Sequence, residues 1–194
     1  MEDTVLRDGL IRLAYAKPTM QPYLLPILRQ GTQMASHLSP VVMRVRSLLD
    51  DMVEDMGLQV EAAGAANREA RATFFYVVTN TVCNAGKALA GEIQYAGFPP
   101  QTGSPRSVGT FIQPKYWGLD SGTENMQKAR VLWMILIRHL MKIQTLLEQT
   151  SEKMVPWSVD QDDGARQQAA SFIERTICDL GDRAVRQFDH LLGL

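Results

Sequence analysis

Val131-Leu-Trp-Met-Ile-Leu-Ile137 is the longest strongly apolar run in the chain, bracketed by Arg130 and Arg138. It is too short to cross a bilayer, which takes about 20 apolar residues as a helix. Ser121 and Glu124 have the spacing of a capping box ahead of it, and Pro156 closes the region, so a helix is expected over 122–153. A helix that is apolar nearly all round is buried by several neighbours. Trp133 and Leu136 are therefore placed in the core of an all-α protein.

Helical spacing recurs on both sides of this stretch. Ser39-Pro40 is a good helix start. Val41, Val42, Val45, Leu48, Leu49, Met52, Val53 and Met56 then form one stripe, and Gly57 stands where a C-cap would. The next helix is expected from Leu58 towards Ala96, with a break or kink near Gly86 because glycine weakens a helix interior. Asp160, Asp162 and Asp163 suit the positive end of a last helix. Its stripe runs through Ala169, Phe172, Ile173, Leu180, Ala184 and Phe188. No repeat of fixed period occurs. The expected architecture is a helical bundle of about four long helices with a short N-terminal helical arm and a long irregular crossover at 97–122. By domains this is an arm at 1–30 and a bundle at 31–194.

Composition narrows the function classes. The chain has 194 residues, 45% hydrophobic and 21% charged, enough for one domain with a substantial core. A net charge of −1 and a pI near 6.3 argue against a nucleic-acid partner. Met1-Glu2-Asp3 lacks the basic-then-apolar order of a signal peptide. Cys83 and Cys178 make no disulfide framework, so two free thiols and a reducing, cytoplasmic setting are expected. No membrane partner is expected.

Known chemistry is hard to place. A di-metal bundle needs Glu-x-x-His pairs, and none of His37, His139 and His190 has Glu three residues before it. Setting Gly164 at position six of a calcium loop puts Val159 at one and Ala170 at twelve, so that match fails. No phosphate-binding, dinucleotide or nucleophile-elbow motif occurs. No catalytic residue, metal ligand or cofactor is assigned, and the balance leans away from an enzyme.

Two segments draw attention as partner-binding. The stretch 97–122 is long for a connection inside a compact domain, and Ser107 to Trp117 has the makings of a short β excursion. It carries Phe98, Arg106, Phe111, Tyr116 and Trp117, the residue types of interface anchors. They also serve to pin a loop to a bundle. In the arm, Val5, Leu6, Leu10 and Leu13 give a short helix over 4–16, ended by Pro18. Pro22 and Pro26 then punctuate Tyr23, Leu24, Leu25, Ile27 and Leu28. These prolines are expected to keep the arm out of a long bundle helix, leaving its apolar residues to bury against the bundle or another subunit.

Leu10-Ile-Arg-Leu-Ala-Tyr-Ala-Lys-Pro18 followed by Pro22-Tyr-Leu-Leu-Pro-Ile-Leu28 resembles an opening of phage-encoded and bacterial proteins of unassigned role. The resemblance implies a short docking or sorting segment and supplies no catalytic residue. The expected function is a non-enzymatic interaction or assembly protein of a phage particle or an infected bacterial cell. It forms a homo-oligomer or docks on a larger assembly. The alternative is a small-molecule binder or enzyme with a pocket between bundle helices, roofed by 97–122.

Overall fold

A computed structural model of the chain describes residues 21–63, 67–98 and 124–193, with residues 12, 13, 16, 17 and 19 before them. The fold is all-α, with helices α1 (Gln21–Ala63), α2 (Asn67–Gln94), α3 (Glu124–Val159) and α4 (Asp163–Leu191) and no strand among the described residues. The chain divides into two compact units, residues 1–40 and 41–194.

In the first unit, the arm differs from expectation. Helix α1 begins at Gln21, so Pro22 and Pro26 lie within it, and Ser39-Pro40 falls inside the helix instead of starting one. Pro22 sits in the first turn, where the missing N–H has no intrahelical acceptor in any case. Pro26 and Pro40 each remove one bond, to the carbonyls of Pro22 and Ser36. The division between the two units falls at Pro40. Most of the helix expected over 4–16 lies outside the described residues.

In the second unit, Gly57 does not end α1, which continues to Ala63. A Cβ there would stand 3.1 Å from Leu191 Cδ1, so the glycine makes room for a neighbour. Val45, Leu49, Met52, Val53 and Met56 are buried, as their spacing predicts. In α3 the buried positions are Trp133, Leu136, His139, Leu140, Ile143, Leu147, Thr150, Met154 and Ser158, mostly three or four residues apart. That is one stripe. Trp133 and Leu136 are core residues, yet Met134 is 71% exposed, so α3 is not encased on all sides. Thr150 and Ser158 are tolerated in the stripe because each hydroxyl donates to a carbonyl four residues back, Leu146 and Met154. Pro156 lies within the last turn of α3, where the carbonyl it leaves unpaired belongs to exposed Glu152.

Helices α2 and α4 run antiparallel in close contact. Phe74 stacks on Phe188 at 4.2 Å between ring centroids, and Arg166 Nη1 donates to the Ala96 carbonyl at 3.1 Å. Between these ends two glycines let the backbones approach. A Cβ on Gly86 would meet Ile177 Cβ at 2.8 Å, and one on Gly181 would meet Val82 at 3.6 Å. The helix stays continuous through Gly86, so the expected break does not occur. At the same level Cys83 and Cys178 form a disulfide with Cα atoms 4.3 Å apart. This corrects the expectation of free thiols: sequence separation hid a pair that the antiparallel register brings together. The argument for a reducing compartment loses its basis, since disulfides persist in oxidising surroundings.

Gly97, at φ +82°, takes the left-handed conformation that ends the α2 segment, and a Cβ on it would lie 3.7 Å from Val159 at the end of α3. The C-termini of α2 and α3 are therefore together, and these two helices run parallel. Asp162 turns the chain from α3 into α4 by accepting the Ala165 N–H at 2.7 Å. A parallel α2–α3 pair dictates a long connection. Helix α3 has 36 residues, about 54 Å at 1.5 Å each. The chain between Phe98 and Glu124, whose residues 99–123 lie outside the described residues, joins helix ends about that far apart. The crossover expected from composition thus has a topological cause. The β excursion proposed for Ser107–Trp117 lies outside the described residues, as does Ser121.

Gly86→Ala and Gly91→Ala separate close packing from helix propensity. Nothing lies within 4 Å of a Cβ on Gly91. Gly91→Ala should raise stability by about 0.5–1 kcal/mol in denaturant melts. Gly86→Ala should lower it, because overpacking costs about 1–3 kcal/mol. Equal gains at both positions would show that α2 and α4 are not in contact at Gly86.

The disulfide closes a loop over a sequence separation of 95. By chain entropy such a loop contributes up to about 4–5 kcal/mol. Reductant should lower the melting midpoint accordingly, and thiol counting on the denatured, unreduced chain should find none free. Two free thiols per chain would reject the pairing.

Candidate functional site

The seam between α1 and α3 carries a cluster of charged and apolar side chains in the second unit. Asp55 on α1 meets Arg138 and His139 on α3, while Arg44 and Leu48 stand beside Met141 to Gln149. Going back along α1 therefore means going forward along α3, and the helices are antiparallel.

Asp55 anchors this seam. One carboxylate oxygen accepts from Arg138 Nη2 at 3.0 Å and lies 2.8 Å from His139 Nε2. The hydrogen bond to His139 is the main cause holding Asp55 below the ordinary carboxylate range, with the positive charges adding and partial burial opposing. An ionised carboxylate only accepts, so His139 donates from Nε2. His139 is 3% exposed in its side chain, whereas Arg138 is 60% exposed. The histidine is thus a hydrogen-bonded core residue that ties two helices together. Among the described residues no group of three or more His, Cys, Asp and Glu is placed to hold a metal.

Past this anchor the seam opens into a groove of about 370 Å³ lined by Arg44, Leu48, Met141, Lys142, Thr145, Leu146 and Gln149. Its position follows from the wheel of α3. The buried stripe points inward, so Met134, Arg138, Met141, Lys142 and Thr145 share the opposite side. Met134 and Met141 are 71% and 56% exposed. They sit seven residues apart, two turns along one face.

A second polar cluster closes the bundle end. Arg166 on α4 is buried, pairs with Asp163, donates to Ala96 and lies 5.4 Å from the Phe98 ring centroid. Its charge meets the carbonyl end of α2, where a cation is favoured.

The structure describes only some of the partner-binding residues expected from sequence. Tyr23, Leu24, Leu25, Ile27 and Leu28 lie on the helical backbone of α1 in the first unit. Phe98 is 55% exposed with one face towards Arg166. Arg106, Phe111, Tyr116 and Trp117 lie outside the described residues. Sequence reasoning passed over the groove residues, although one signal was present: Met134 and Met141 oppose the stripe of Leu136, Leu140 and Ile143.

No family model, curated protein or solved structure matches the chain.

Asp55→Asn tests the anchor. The folded-state pKa of Asp55 is depressed, so its stabilisation is present above the unfolded value of about 3.9 and fades as pH falls through that range. The variant should melt earlier than wild type at neutral pH, with the difference shrinking as pH falls from the unfolded carboxylate value through the depressed folded-state value. A difference that does not shrink as the carboxylate protonates would remove the electrostatic role.

Proposed function

We propose that this chain is a non-enzymatic interaction or assembly protein that uses the outer face of α3 to join copies of itself or a larger partner. The observation that carries this reading is the pair of exposed methionines, Met134 and Met141, on one face beside an apolar-floored groove. Burying a side chain of this size is worth about 1.5–3 kcal/mol. Methionine is flexible and polarizable, which suits a surface that must fit a partner. No helix among the described residues is long and apolar enough to cross a membrane, which fits a protein face over a lipid one. The resemblance of residues 10–28 to openings of phage-encoded proteins supports a phage setting. A virion surface is also oxidising, which suits the Cys83–Cys178 disulfide.

Solution mass across a concentration series tests the self-association arm. Wild type should rise above the 21.7 kDa of one chain as concentration increases. Met134→Glu with Met141→Glu should hold the mass at one chain without shifting the melting midpoint, since both side chains face outward. Equal oligomerisation by this variant would remove the α3 face from the interface. A wild-type mass of one chain at all concentrations would reject self-association.

A further inference from the structure

We infer that the groove between α1 and α3 receives an acidic amphipathic helix from a partner protein, an assignment that rests on the reading of the α3 face as a docking surface. The floor is apolar: Leu48 is buried, Leu146 is half-buried, and Met141 is exposed at the edge. The charge on the walls is of one sign. Arg44 stands on the α1 side and Lys142 on the α3 side, and no Asp or Glu lines the groove.

Arg46 has Asp50, Arg138 has Asp55, and Arg166 has Asp163. Arg44 and Lys142 are both exposed and, like Lys87, Lys153, Arg175, Arg183 and Arg186, form no ion pair among the described residues. Two cations facing an apolar trough match an apolar stripe flanked by carboxylates. Length favours a helix over a small ligand. The groove's own lining on α3, from Met141 to Gln149, spans more than two turns, the reach of anchors at i, i+3, i+4 and i+7 on a docked helix. Charge then sets the sign of the partner, and the trough sets its shape.

The test uses the full chain and two labelled model peptides of about 18 residues. Both carry leucines at i, i+3, i+4 and i+7, flanked by glutamates in one and lysines in its twin. Fluorescence anisotropy at low and high salt reads binding. The glutamate peptide should bind about tenfold tighter than its twin, with the preference shrinking as salt rises. Arg44→Glu with Lys142→Glu should reverse the preference, while Arg44→Gln with Lys142→Gln should abolish it and keep the wild-type melting midpoint. Equal binding of the two peptides, a lysine preference, or no binding by either would overturn the assignment. So would displacement of the glutamate peptide by a single-stranded oligonucleotide, which would make the groove a phosphate site. Loss of both peptides in Met134→Glu with Met141→Glu supports the α3 face. Retention of equal binding there by both peptides rejects the face itself and not merely the charge of its partner.

Discussion

The close approach of α2 and α4 is the constraint on which the bundle depends. Gly86 lies against Ile177 and Gly181 against Val82, so these backbones come nearer than side chains on both helices would allow. Once they do, one antiparallel register follows along the whole pair. Phe74 meets Phe188, Cys83 meets Cys178, and Ala96 meets Arg166. Each pairing is cheap only in that register. A slip of one turn would set a β-branched side chain against a neighbour's backbone and leave Arg166 without the Ala96 carbonyl.

From that pair the remaining topology follows. Helix α3 leads into α4 through the turn capped by Asp162, so α3 runs antiparallel to α4 and parallel to α2. Parallel neighbours need a connection as long as the helix, which accounts for the stretch between Phe98 and Glu124. Helix α1 is held to α3 near one end of their seam by Asp55 and opens from it further along, and that opening is the groove. An anchor that is charged and half-exposed contributes less to stability than the apolar seam. Its consequence is geometric: it sets which residues of α1 and α3 face each other across the trough.

Much of the fold was legible in the sequence. The stripes of α1, α3 and α4 recur at helical spacing, and the long connection announced itself through proline and glycine. The misreadings of helix bounds share one origin. Proline and glycine were taken as punctuation, yet Pro26, Pro40 and Pro156 lie within helices and Gly57 and Gly86 are sites of contact. Local rules give the cost of such residues. Whether a neighbour offsets that cost is a tertiary fact. The groove was illegible for the same reason, since Arg44 and Leu48 lie about one hundred positions from Met141 and Lys142 and only the antiparallel α1–α3 seam brings them together.

By itself the sequence determined the helical class, the buried stripes and the need for a crossover, because the 3.6-residue period and the chemistry of caps act between residues within a turn or two of each other. The tertiary structure decided the pairing of Cys83 with Cys178, the partner of His139 and the groove that brings Arg44 and Leu48 beside Met141 and Lys142. Those depend on which helices face each other and at what level, set by the volume glycines leave open between α2 and α4 and by the Asp55 anchor between α1 and α3, and no local spacing encodes either.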